Sequence, residues 1–199
     1  MRVAGAVILM VGVVLGGGCT DREVRASERS GPTVVDSAAP IEVALDRFRS
    51  ELPKPQGLTG GFGTREELVR RFVQALEARD TTALRRMVMG KAEFAWLYYP
   101  SSPLSRPPYA LPPDLLWFQM QGQTEKGASL LLGERAGFPL GYLSHACTSQ
   151  REEGENRLSG HCVVRRVTAA GDTVGERLFG LVLERDGFYK FVSYANKLD

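Results

Sequence analysis

The chain has 199 residues, with 25 Lys and Arg against 23 Asp and Glu, for a formal net charge of +2. So even a balance implies no charge-driven partner and gives nucleic-acid binding no support. Only three cysteines are present, and no metal-finger or Cys-x-x-Cys spacing occurs among them.

The opening of the chain reads as an export signal. Met1-Arg2 is followed by the apolar run Val3–Leu15, about 13 residues, where a bilayer span needs roughly 20. A basic start, a short apolar core and then small residues make a secretory signal over residues 1–18. Leu15-Gly16-Gly17-Gly18-Cys19 resembles the bacterial lipobox, which implies lipidation of Cys19 and a mature chain starting there. Three acyl chains on one cysteine exceed the two signals that stable anchoring needs. Thr20 after the cysteine, by the same resemblance, favours the outer membrane. The plainer alternative is an ordinary secretory signal followed by a chance cysteine.

Residues 19–61 are polar and interrupted by Gly31-Pro32, Pro40, Pro53 and Pro55, as in a flexible tether. Within it Ile41, Leu45, Phe48 and Leu52 recur at helical spacing, which predicts a short helix over 41–52. That helix either docks on the folded part or serves a partner.

The folded part runs over residues 62–199, one domain with enough chain to bury a core. Thr64-Arg65-Glu66-Glu67 is a capping box. The stripe Leu68, Val69, Phe72, Val73 and Leu76 then predicts an amphipathic helix ending near Ala78. Asp80 caps a second helix with Leu84, Met87 and Val88 inward. Lys91 to Tyr99 is expected to add one or two helical turns. Pro100 to Pro113 holds six prolines in fourteen residues, so it reads as an ordered surface loop with Tyr109 and Leu111 tucked under. A third helix follows from Asp114, weakened in the middle by Gly122 and Gly127.

Gly141 to Asn196 reads as one antiparallel sheet. Its turns are Glu152–Asn156, Ala169–Asp172 and Asp186-Gly187, the last a two-residue hairpin signal because both positions accept positive φ. With Gly154-Glu155 at the first tip, Cys147 falls opposite Cys162. With Asp186-Gly187 at the third, Leu183, Leu181 and Phe179 oppose Lys190, Val192 and Tyr194.

Helices followed by a curved antiparallel meander is the layout of the nuclear transport factor 2-like superfamily. The stretch from Phe72 to Leu84 resembles its opening helix and the start of its second. Glu93-Phe94-Ala95-Trp96-Leu97-Tyr98-Tyr99-Pro100 resembles bacterial lipoproteins. The resemblance implies an α+β fold of the cystatin-like, cone type, with N-terminal helices packed on a curved sheet around a pocket. Some members are enzymes of polyketide cyclase or ketosteroid isomerase type that use an Asp or His in the cone. Others only bind ligands or partners.

Each chemical candidate has a plainer counterpart. Cys147 and Cys162, in an oxidising compartment, are expected to form a structural disulfide. His145 is the one weak catalytic candidate, since a histidine titrates near neutral pH. Its predicted face also carries Phe179, Leu181 and Val192, which favours a satisfied structural histidine. His161 is expected on the opposite face, so no metal site is expected. Phe94, Trp96, Tyr98, Tyr99, Trp117 and Phe118 are candidates to line an apolar cavity, or else to pack as core. No nucleophile elbow, phosphate loop or dinucleotide fingerprint appears, and no cofactor is expected. The reading is an envelope lipoprotein on the periplasmic face of the outer membrane, binding a small apolar ligand or another envelope protein. The alternatives are a small enzyme using His145 and a structural assembly partner.

Overall fold

The computed structural model describes residues 39–198. The stretch expected to be a signal over 1–18, Cys19 and the part of the expected tether as far as residue 38 therefore lie outside the described residues. Helices come first: α1 Ile41–Arg49, α2 Arg65–Glu77, α3 Thr81–Met87, α4 Lys91–Glu93 and α5 Pro113–Glu134. Strands follow: β1 Tyr142–Glu153, β2 Asn156–Val167, β3 Thr173–Glu176, β4 Val182–Arg185 and β5 Phe188–Phe191. The class is α+β, with an open, wholly antiparallel sheet.

Local chemistry sets the helix ends. Thr64 Oγ1 accepts the Glu67 N–H at 3.1 Å, and Asp80 Oδ1 accepts the Ala83 N–H at 2.9 Å. Each satisfies a donor that a first helical turn leaves without a partner. Between α2 and α3 the chain reverses at Arg79, which adopts a left-handed φ of 53°. The Arg79 guanidinium in turn donates to Leu132 O, in the last turn of α5, at 3.1 Å.

α4 does not stop cleanly. It widens into a π-helical turn over Phe94–Tyr98, in which the Tyr99 N–H reaches back to Phe94 O. The Ala95 carbonyl would next receive the N–H of residue 100, but Pro100 has none. Arg49, at the end of α1, donates Nε and Nη2 to that carbonyl at 3.0 and 2.9 Å. Its guanidinium also lies 4.2 Å from the centre of the Trp96 ring. α1 is thus held against the π turn, with Ile41, Leu45 and Phe48 packed beside it.

The Pro100–Pro113 loop is ordered by short 3-10 turns and by the Tyr99 hydroxyl, which donates to Leu111 O at 2.7 Å. Leu111 packs into the core as expected, whereas Tyr109 is 61% exposed. The expectation that Tyr109 tucks under fails because the chain turns outward there, Ala110 having a positive φ of 42°. Gly122 and Gly127 do not interrupt α5. Gly127 instead faces the C-terminal segment so closely that a Cβ would lie 2.7 Å from Ala195 O.

The sheet has the order β1-β2-β4-β5, with β3 also paired to β2. β1 and β2 form a long hairpin whose tip is Gly154-Glu155, and Cys147 stands opposite Cys162. Leu183 opposes Lys190, Val192 N–H donates to Leu181 O, and Phe179 bridges Tyr194. Asp186 and Gly187 both have positive φ, as that tight turn demands. The run expected as one strand from Thr173 to Arg185 is divided. β3 pairs with the far half of β2 and β4 with the near half. His161, at the junction on β2, takes a φ of 49°.

The sheet is covered on both faces. One core gathers α2, α3 and the end of α5 against Cys162, Val164, Phe179, Val182 and Phe191. The other gathers the π turn and the start of α5 against Leu158, Leu183 and Val192. Alternation along the strands divides β4 and β5 between the two. It breaks down where β3 and β4 part, since Leu178 and Phe179 are both buried in the first core. Phe179 therefore does not share a face with Leu181 and Val192, contrary to the expectation from unbroken period-two spacing.

Candidate functional site

A cleft of about 550 Å³ opens along α5, between that helix and the segment from α3 to α4. Leu84 and Val88 form one wall, Trp117, Met120, Ala128 and Leu132 the other, and Val192 and Tyr194 the floor. The volume lies within the roughly 300–1,000 Å³ typical of small-molecule sites. It exists because α5 contributes Leu116 to one core and Leu131 to the other, so its middle crosses the gap between them. The Tyr194 hydroxyl donates to Leu84 O at 2.6 Å, so the floor presents a ring rather than a free polar group. Burial pushes its pKa well above the ordinary value. Polar groups at the cleft include Arg85, Lys91, Gln121, Thr124, Glu125 and Ser129. Gln121 and Glu125 bond to each other at 2.8 Å.

A second concavity, of about 1000 Å³, adjoins the first and shares Arg85, Val88, Gly90 and Lys91 with it. Arg71, Arg86, Glu93 and Lys190 also line it. Glu93 and Lys190 are committed to one another, with Nζ 2.9 Å from Oε2. Glu93 also accepts the N–H groups of Gly90 and Thr59, both at 2.6 Å.

The aromatic candidates separate. Trp117 lines the cleft. Phe94, Tyr98 and Tyr99 are buried in the second core, with the Phe94 ring 5.3 Å from that of Trp117. Trp96 is half-buried beneath Arg49 and Lys54. Phe118 is 75% exposed, because it lies on the side of α5 turned away from both cores.

Cys147 and Cys162 are joined by a disulfide. Cys162 is fully buried in the first core, so the bond staples the long hairpin at its covered face.

His145 lies two residues along the same strand, opposite Val164, and its side chain is 5% exposed. Nδ1 is 3.0 Å from the Tyr142 hydroxyl and 3.2 Å from Glu66 Oε2. Arg70 pairs with the same carboxylate at 2.6 Å and stacks over the Tyr142 ring. Burial, helped by Arg65 and Arg70, lowers the imidazole pKa, and Glu66 only partly opposes it. His145 thus has an orienting carboxylate, but from the first turn of α2 rather than from a strand. It is not among the residues that line the cleft. His161 is exposed, and no group of three His, Cys, Asp or Glu side chains among the described residues is placed to hold a metal.

Apart from Trp117, the residues of the cleft's α3 and α5 walls, and the basic side chains Arg85, Arg86 and Lys91 near it, were not anticipated from sequence. The one available signal was Arg85-Arg86 in the last turn of α3, which reads equally well as a solvated helix end. Fold and cleft together define a compact α+β domain with an apolar groove beneath a long helix. Comparison with protein-family models, curated proteins and solved structures finds no match. Among the described residues no helix is long and apolar enough to cross a membrane.

Proposed function

We propose that this chain is an envelope lipoprotein whose folded domain binds a small apolar ligand without chemical turnover. The observation that carries the binding reading is the cleft of about 550 Å³ walled by Leu84, Val88, Trp117, Met120 and Leu132. The export signal and Leu15–Cys19 support anchoring through a lipidated Cys19 on the periplasmic face of the outer membrane. The Cys147–Cys162 disulfide suits the oxidising side of a membrane. The order of helices and sheet supports membership of the cone-shaped nuclear transport factor 2-like group, with the groove under α5 as its pocket. A cyclase- or isomerase-type enzyme would need a base facing that pocket. His145 instead turns Nδ1 toward Tyr142 and Glu66, in the seam between α2 and β1.

Native mass spectrometry of the protein taken from its own membrane tests this reading. The expected species starts at an acylated Cys19, carries oxidised Cys147 and Cys162, and retains a small hydrophobic molecule. A species beginning at Met1 with free thiols and nothing bound sinks the proposal.

A second reading rests on a different observation. Leu115 and Phe118, one turn apart on α5, are 42% and 75% exposed, and Tyr109 in the preceding loop is 61% exposed. Scattered exposed apolar residues are ordinary, but three near one helix start suit a structural assembly partner in the envelope. Crosslinking from position 118 in cells distinguishes this reading, by yielding one discrete protein adduct or none.

A further inference from the structure

The apolar cleft ends at a ridge of positive charge. Arg85 and Lys91 line both it and the adjoining concavity, where Arg71 and Arg86 stand nearby. The guanidiniums of Arg85 and Arg86 make no ion pair or hydrogen bond with any described residue. Arg71 bonds only to the neutral amide of Gln74, at 3.3 Å, and the Lys91 ammonium lies 4.8 Å from the Phe48 ring. Two carboxylates line these surfaces, Glu93 and Glu125. Glu93 is neutralised by Lys190 and also held by two backbone N–H groups, whereas Glu125, on α5, bonds only to the neutral Gln121 amide and is the one carboxylate to set against the four cations. Pairing elsewhere on this domain is mixed. Arg70 finds Glu66 and Arg157 finds Glu184, whereas the exposed guanidiniums of Arg47, Arg165 and Arg177 have no carboxylate partner among the described residues. What sets this ridge apart is that its unpaired cations gather at one concave surface. The ridge is therefore a local excess of cation at the mouth of an apolar groove.

We infer that the ligand is an anionic single-chain amphiphile, with its hydrocarbon chain along α5 against Trp117 and Met120 and its head on Arg85, Arg86 and Lys91. The inference rests on the binding reading above and adds the head group to it. Burying a chain of methylenes provides most of the affinity, since each is worth about 0.8 kcal/mol when fully removed from water. Exposed cations contribute less, but they select a charged head over a neutral one and give the selection a salt dependence.

Trp117 offers the readout. The full chain, at a fixed concentration of nonionic detergent, is titrated with a dibrominated long-chain fatty acid and with the matching dibrominated alcohol. Bromine on the chain quenches an indole it touches. Quenching by both probes is expected, and its loss in Trp117→Phe places the chain in the cleft. The acid should bind about fivefold or more tightly than the alcohol, as two or three partly exposed ion pairs would give. That preference should vanish at high salt and in the triple variant Arg85→Gln, Arg86→Gln, Lys91→Gln, whose thermal melt is checked against wild type. Equal binding of acid and alcohol by the wild type overturns the anionic head and leaves an apolar ligand standing. A preference for the acid that survives the triple variant overturns the assignment to these three side chains. Quenching by neither probe overturns both this inference and the reading beneath it.

Discussion

Lys190 and Glu93, 97 positions apart in the chain, meet as an ion pair at 2.9 Å with each side chain only 5% exposed. Lys190 also donates to Thr59 O at 3.1 Å, and Glu93 accepts from the Thr59 and Gly90 N–H groups. The pair thereby ties β5, the start of α4 and the loop before α2 to one point. Two charges out of water are stable there because nearly every hydrogen-bonding position around them is filled.

Removing one partner should be worse than removing both. Lys190→Met leaves a buried carboxylate and should destabilise the domain by about 3–5 kcal/mol. Adding Glu93→Gln should recover part of that loss. Urea unfolding of the two single variants and the double variant measures the coupling. A Lys190→Met protein as stable as wild type would show that the pair holds nothing together.

Gly127 is a case where helix propensity and packing disagree. Alanine is favoured over glycine inside a helix by about 1 kcal/mol. Here an added Cβ would lie 2.7 Å from Ala195 O and 2.9 Å from the Tyr194 Cβ. Overpacking of that kind costs about 1–3 kcal/mol, so Gly127→Ala should lower the melting temperature. Gly122, with nothing near its Cβ position, is the control, and Gly122→Ala should raise it.

The disulfide closes a loop with a sequence separation of 15. In the chain-entropy account such a loop is worth about 3 kcal/mol. Replacing both cysteines, Cys147→Ala with Cys162→Ala, should lower the urea midpoint by a matching amount without changing the far-ultraviolet circular dichroism. An unchanged midpoint would mean that the long β1–β2 hairpin is held by packing alone.

Two groups make stability depend on pH, in separate windows. Glu176 is gripped by the guanidiniums of Arg166, at 2.8 Å, and Arg135, at 3.1 Å. Hydrogen bonding from Arg166 is the main cause of its pKa falling from 4.5 to about 2. The unfolded chain thus takes up this proton first as pH drops. The stabilisation is complete above 4.5 and is lost between there and about 2. His145 behaves with the same sign higher up the scale. Its folded pKa lies below the ordinary 6.5 because the ring is buried, so acidification through that value favours the unfolded state. Unfolding midpoints across pH should show both losses, with the upper one absent in His145→Gln and the lower one absent in Glu176→Gln. An upper loss that persists in His145→Gln would place its origin elsewhere.

Arg49 does work that Pro100 leaves undone, by serving the Ala95 carbonyl. Arg49→Leu keeps the bulk of the side chain and removes both donors. A hydrogen bond to a charged donor is worth about 1.5–3 kcal/mol, which is large for a nine-residue helix whose other ties to the domain are the partly buried Ile41, Leu45 and Phe48. Hydrogen exchange should therefore speed up across Ile41–Arg49 while the amides of α2 keep their protection. Uniform protection in the variant would contradict this role.

Where structure depends on a few neighbouring residues, it was legible in the sequence. Thr64 and Asp80 mark their helix starts because a side-chain oxygen reaches an N–H three residues on. Gly154 and the pair Asp186-Gly187 mark hairpin tips because they take a positive φ, which few residues accept. Once the tips are placed, period-two pairing puts Cys147 opposite Cys162 and Leu183 opposite Lys190. The candidate site was far less legible. Of six aromatic candidates only Trp117 lines the cleft, since an apolar ring carries no sign of whether it meets another ring or open space.

Sequence alone determined the class, helices before an antiparallel sheet, together with the accepting side chains of Thr64 and Asp80 at two helix starts, its turns and the pairing of Cys147 with Cys162. These follow from backbone geometry and hydrogen bonding over short separations. Tertiary packing alone decided that Glu66 reaches His145, that Lys190 finds Glu93, that Phe179 joins the first core, and that α5 bridges two cores with a groove beneath it. Those outcomes depend on how layers that are distant in the chain settle against each other. Close packing of whole surfaces sets that arrangement, and no short stretch of residues encodes it.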